Sequence, residues 1–117
     1  MRFDLKDRTY RFALDIVRFC YGALKNYEFN ELKRQLIRSG TSIGANVEEA
    51  DGARTRREFA NKMTIARNEA KETRFWLRLI IDSGLLKDKN DVDKATKLLS
   101  ECAELIKILS SIIEKFK

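Results

Sequence analysis

Apolar residues recur along the chain at steps of three and four in four successive stretches, the spacing that gives an α-helix one apolar face. The pattern predicts helices from about Lys6 to Lys25, Asn30 to Ala50, Thr55 to Gly84 and Asp91 to Phe116. The intervening breaks, near Asn26–Asn30, Asp51–Thr55 and Ser83–Asn90, are short. Connections of that length make each helix antiparallel to the one before it. The expected fold is all-α, an antiparallel up-down-up-down four-helix bundle spanning residues 1–117 as one domain.

The first helix carries two apolar rows. One is Phe12, Ile16, Phe19 and Ala23; the other is Tyr10, Leu14, Val17, Tyr21 and Leu24. Its polar stripe is confined to Arg11, Asp15, Arg18, Gly22 and Lys25, which predicts burial on more than one side. In the second helix Asn30 is the expected N-cap, and Leu32, Leu36, Ser39, Ile43, Val47 and Ala50 form the core row. Its middle, from Ser39 to Ala45, is made of small residues except for Ile43. Gly40 and Gly44 each cost about 1 kcal/mol against alanine in a helix interior. Either the backbone there approaches another helix closely, or the helix kinks or breaks.

The third helix opens with Thr55-Arg56-Arg57-Glu58, a capping box in which the threonine hydroxyl takes the Glu58 amide and the glutamate reaches back. Phe59, Met63, Ala66, Ala70, Thr73, Leu77 and Ile80 make the core row, and Gly84 offers a left-handed C-terminal cap. A basic row of Arg67, Lys71, Arg74 and Arg78, extended backward by Arg56, lies about 100° to one side. A mixed row of Ile65, Glu69, Glu72, Trp76 and Leu79 lies about 90° to the other.

The fourth helix, with Asn90 as expected cap, keeps Val92, Ala95, Leu99, Cys102, Ile106, Leu109, Ile113 and Phe116 in strict four-three steps. Leu98, Leu105, Ile108 and Ile112 widen that stripe to roughly 200° of arc. One partner face needs little more than about 100°. The surplus predicts a homo-oligomer in which Leu98, Leu105, Ile108 and Ile112, together with Trp76 and part of the first helix, meet another copy.

Composition narrows the chemistry. The chain of 117 residues has no histidine and no proline. The commonest general base and the commonest metal ligand are therefore missing. Cys20 and Cys102 both sit on apolar stripes and read as buried reduced thiols rather than a disulfide framework. Without histidine neither can form a Cys–His nucleophile pair. The Ser39–Gly44 stretch lacks the lysine and the preceding strand of a phosphate loop. Glu48, Glu49, Glu69 and Glu72 would need accompanying histidines to make a bundle di-metal site. Glu49 and its neighbours read instead as structural acids that pair with Arg and Lys. Asn46 lies beside Ile43 and Val47 and reads either as a structural amide that fixes helix register or as a ligand contact. No catalytic residues, metal or cofactor are expected. No stretch approaches the roughly 18 apolar residues of a membrane span, and the N-terminal MRFDLKDRTY has acids where a signal peptide needs an apolar run. A cytoplasmic protein is expected.

Charge supplies the one surface feature that suggests a ligand. The formal net charge is +6. Between Arg54 and Arg78 there are eight basic and three acidic residues, whereas Asp82 to Lys117 holds seven of each. Concentrated positive charge binds phosphate backbones through counterion release. The candidate contacts to RNA or DNA are Arg54, Arg56, Arg57, Arg67, Lys71, Arg74 and Arg78. The same row would also suit an acidic protein partner, which would make the chain an adaptor that recruits a protein such as a polymerase. A third possibility is a plain solvated helix face.

The stretch Gln35-Leu36-Ile37-Arg38-Ser39-Gly40-Thr41-Ser42-Ile43-Gly44-Ala45-Asn46-Val47-Glu48-Glu49-Ala50 resembles the signature of the four-helix-bundle proteins encoded in intervening sequences of bacterial 23S rRNA genes. Glu58-Phe59, Ile65-Ala66, Ala70-Lys71-Glu72-Thr73, Trp76-Leu77 and Ser83-Gly84-Leu85-Leu86 resemble the same family. The chain departs from the family pattern where proline often replaces Gly44 and where Glu-Gly often replaces Glu49-Ala50. The resemblance implies an antiparallel four-helix bundle that assembles as a homopentamer. It also implies kinship with the accessory variability determinants of diversity-generating retroelements, basic pentameric barrels that bind reverse transcriptase and nucleic acid.

Overall fold

The structure, a computed structural model, describes residues 2–116, with the side chains of Arg2 and Phe3 excepted. Four helices carry the fold: α1 (Arg2–Ala23), α2 (Asn30–Asp51), α3 (Arg56–Asp82) and α4 (Lys89–Glu114). A short 3-10 turn, Tyr27–Phe29, leads into α2. The helices form an antiparallel bundle of 46 × 20 × 20 Å. Sequence neighbours pack as spatial neighbours, and the bundle closes through a thinner α1–α4 seam.

The helix ends follow local chemistry. At α3 the Thr55 hydroxyl accepts from the Glu58 amide at 3.0 Å. The Glu58 carboxylate reaches back one residue further than a standard box, to the Arg54 amide at 3.2 Å. Gly84, at φ 74°, ends this helix in the left-handed region, where a residue without Cβ is unstrained. Two expected caps move. Asn30 is the first residue of α2, behind Phe29. The cap of α4 is Asp88, whose carboxylate accepts from the Asn90 amide at 2.7 Å. Aspartate caps as well as asparagine and adds a charge that favours the helix N-terminus.

The core is the set of rows with helical period. Phe12, Ile16 and Phe19 of α1 are buried, as are Leu36, Ile43, Val47 and Ala50 of α2 and every member of the α3 row from Phe59 to Ile80. Ser39 and Thr73 are buried too, and their hydroxyls meet at 2.9 Å, which joins α2 to α3 and satisfies both. The small residues of α2 mark a close helix–helix contact. A Cβ on Gly40 would lie 3.0 Å from Ile16 side-chain carbons, and one on Gly44 would lie 3.2 Å from the Thr9 carbonyl oxygen. Helix α2 runs unbroken through both glycines.

Two expectations about apolar surface are overturned. Leu98, Leu105 and Ile112 do not face outward; they are 7%, 0% and 7% exposed within the one chain. Helix α4 serves two neighbours, which divide its broad stripe. The sector holding Leu98, Glu101 and Leu105 faces α1, where Glu101 takes a two-pronged bond from Arg8 at 2.6 and 2.8 Å. Cys102 faces α3, its thiol donating to the Ala70 carbonyl at 3.1 Å. Only Ile108 of the proposed α4 contacts remains partly open, as does Trp76 on α3. Conversely, α1 is not buried on several sides. Its second row is open except at Leu24, which is fully buried: Tyr10 and Tyr21 are 59% and 64% exposed, and Leu14 and Val17 are half-buried.

Candidate nucleic-acid interface

Helix α3 packs between α2 and α4 and so presents two flanks and an outer face. The flank toward α2 is electrically neutralised. Arg38 of α2 pairs with Glu69 at 3.3 Å and also with Glu72. Lys62 pairs with Glu49 at 2.7 Å, so Glu49 braces α2 against α3. Trp76 donates its indole N–H to Glu72 at 3.1 Å. The Arg38 and Trp76 donors hold the Glu72 carboxyl below the usual carboxylate range.

The flank toward α4 is different. Arg67, Lys71, Arg74 and Arg78 make no ion pair among the described residues. They follow one another at steps of four, three and four, so they form one continuous row about 16 Å long at 1.5 Å per residue. Lys71 and Arg78 are exposed; Arg67 and Arg74 are half-buried against the bundle. Arg67 is the more constrained of these two. Its Nε is sealed from solvent and lacks an acceptor, the one such side-chain atom among the described residues.

The remaining predicted contacts do not join this row. Arg54, Arg56 and Arg57 lie at the opposite end of α3, about 15 Å from Arg67 along the axis between Arg57 and Arg67. Arg56 is further occupied by the Phe116 ring, over which its guanidinium sits 4.6 Å from the centroid. The structure thus resolves the predicted seven cations into a compact row of four and a separate terminal group.

Asn46 is not a core amide. It is half-buried and its Nδ2 donates to the Ser42 carbonyl of its own helix at 2.8 Å. It sits at the edge of the apolar sector, where a wheel places it near Ile43 and Val47 without enclosing it. The two cysteines are free and buried. Burial pushes both thiols up to about 12, opposed weakly by Lys33 at Cys20 and by Arg74 at Cys102. Among the described residues, no cluster of three or more His, Cys, Asp or Glu is placed to hold a metal. No described helix is long and apolar enough to cross a membrane.

Periodicity alone missed two features. Phe75 is 55% exposed on the outer face of α3, directly beside the unpaired row; its place in the wet sector of the wheel is the signal that could have found it. The second is a groove of about 360 Å³ in the α1–α4 seam, floored by Phe19, Ala23 and Leu98 and rimmed by Arg18, Lys94 and Lys97 with Asp15. It opens where Gly22 leaves space that no side chain fills.

The family model for the 23S rRNA-intervening sequence protein matches residues 2–111. Among solved structures, the chain is similar to a protein of unknown function from the S23 ribosomal protein family of Bacteroides thetaiotaomicron VPI-5482. The two share 36% sequence identity with a TM-score of 0.77, over 92% of this chain and 96% of that one. No curated protein matches the chain.

Proposed function

The chain belongs to the 23S rRNA-intervening sequence protein family, and within that family we propose that it is a non-enzymatic homo-oligomer that contacts RNA or DNA through Arg67, Lys71, Arg74 and Arg78. The observation that carries this proposal is that none of these four cations makes an ion pair with a carboxylate among the described residues. Arg67 and Lys71, and again Arg74 and Arg78, are like charges at i,i+4. Each such pair destabilises a helix by about 0.2–0.5 kcal/mol. A plain solvated face would alternate its signs, as the α2 flank of the same helix does. A polyanion laid along the row relieves the repulsion at both pairs. Arg54, Arg56 and Arg57 extend the positive field toward the other end of α3.

Self-association is supported by the first-helix part of the expected contact surface and not by its fourth-helix part. Tyr10, Ala13, Leu14 and Val17 of α1 border a groove completed by Thr41, Gly44 and Ala45 of α2, with the exposed Glu48 at its edge. With the exposed Tyr21 this makes an apolar strip on the outside of the bundle, of the kind that marks an interface. The pentamer is the assembly that the family resemblance implies. Repetition of the α3 row around a ring would multiply its field.

The test is binding of a mixed RNA and DNA pool as salt is raised. Four phosphate contacts predict a slope of about −3 to −4 in log K against log salt. Replacing Arg67, Lys71 and Arg74 by glutamine weakens binding and leaves the bundle folded. Unchanged affinity in that variant overturns the proposal. Copurification of a defined protein that survives nuclease treatment, without nucleic-acid affinity, would instead make the row a docking face for an acidic partner.

A further inference from the structure

We infer that the α3 surface takes single-stranded nucleic acid, with an unpaired base stacked on Phe75 and neighbouring phosphates on Lys71, Arg74 and Arg78. This rests on the proposed function and narrows its ligand. Phe75 stands one helical turn after Lys71 and one turn before Arg78, with Arg74 adjacent. Lys71 and Arg78, four and three residues away, share one surface patch with Phe75, with Cβ atoms about 5–6 Å apart, and Arg74 lies between them in the same basic row. The ring is 55% exposed, and Leu79, one turn further along, is 42% exposed. The apolar patch and the unpaired cations therefore lie side by side on the same helix.

The Phe75 ring is also braced. Trp76 meets it edge-on, with centroids 5.2 Å apart and planes at 76°. Trp76 is in turn held by Glu72, and Glu72 by Arg38. An exposed aromatic with a fixed neighbour loses little rotational freedom when a second ring lands on it. Stacking onto a protein aromatic needs a base with a free face. Inside a duplex both faces of each base are covered by its neighbours, so Phe75 has nothing to stack on there. Cations alone would suit either form. Cations interleaved with an exposed ring favour the single strand.

Anisotropy titrations of a labelled single strand of about 12 nucleotides, within the range of site sizes for such surfaces, and of the same strand annealed to its complement test this. The single strand should bind more tightly than the duplex. Phe75→Ala should weaken single-strand binding about tenfold to a hundredfold and leave duplex binding unchanged, while Phe75→Trp retains or tightens it. Circular dichroism and light scattering on each variant check fold and mass. Equal binding of single strand and duplex, or wild-type affinity in Phe75→Ala, overturns the inference. So does a change of oligomeric mass in Phe75→Ala, which would assign the ring to contact with a second copy. The proposed function stands apart from these outcomes: it fails if replacing Arg67, Lys71 and Arg74 by glutamine leaves binding to both forms unchanged, or if neither form binds.

Discussion

Gly44 of α2 lies directly against Thr9 of α1: a Cβ at position 44 would come 3.2 Å from the Thr9 carbonyl oxygen and 3.4 Å from its hydroxyl. The obstacle is backbone, and Thr9 is fully buried with its hydroxyl bonded to the Leu5 carbonyl at 2.9 Å. Neither group can step aside without moving α1. Gly44→Ala should therefore destabilise the bundle by about 1–2 kcal/mol, because overpacking outweighs the roughly 1 kcal/mol of helix propensity that alanine gains. Gly22 has nothing within 4 Å of its would-be Cβ, so Gly22→Ala should raise stability by about 0.5–1 kcal/mol. Urea unfolding of the two variants reads both signs. A stabilised Gly44→Ala would mean that α1 and α2 are not pressed together there.

That contact was legible in the sequence as a run of small residues in the middle of a helix. The core rows were legible too, since burial of Phe59, Met63, Ala66, Ala70, Leu77 and Ile80 follows from period alone. The fate of Leu98, Leu105 and Ile112 was not. A helical wheel gives the width of an apolar stripe but not the number of neighbours that will cover it, and α4 has two. The same limit hid the outer row of α1, where Tyr10 and Tyr21 stand exposed although their spacing suits a core. The basic row was visible as charge density. The four aligned cations follow from period too; only the detachment of Arg56, which period joins to that row, depends on Phe116 taking its guanidinium.

The buried thiols make the bundle sensitive to alkali in a defined direction. Their ordinary value is 9.0, and burial raises both to about 12. The unfolded chain therefore releases these protons first, and stability is full below about pH 9. It is lost as pH rises toward 12, by up to about 1.4 kcal/mol per thiol per pH unit. Cys20→Ala/Cys102→Ala should flatten that part of the slope. At neutral pH both thiols should resist an alkylating reagent until the chain unfolds. Rapid labelling of the native protein would show that the core opens readily.

Self-association should depend on the outer face of α1 and not on α4. Leu14→Asp with Val17→Lys places charges in the strip beside Tyr10 and Ala45 without touching the buried row of Phe12, Ile16 and Phe19. Light scattering should find the wild-type chain at a multiple of 13.7 kDa and the double variant near that value itself. A wild-type chain that already runs as a monomer at micromolar concentration removes the assembly from the proposed function.

Arg67 sets stability against binding. Its Nε is buried without an acceptor, a state that costs about 1–3 kcal/mol when complete. The outer guanidinium nitrogens of this half-buried residue share in solvent, which reduces the penalty to about 1 kcal/mol or less. Methionine keeps an unbranched apolar stem in the same place and removes both the unpaired donor and the repulsion with Lys71. Arg67→Met should thus be slightly more stable than the wild type, by up to about 1 kcal/mol in urea unfolding. If the row binds phosphates, the same variant should bind nucleic acid more weakly and lose about 1 from the salt slope. Greater stability with weaker binding is what a residue retained for a ligand predicts. Lower stability with unchanged binding would instead make Arg67 a packing residue and leave Lys71, Arg74 and Arg78 to carry the contact.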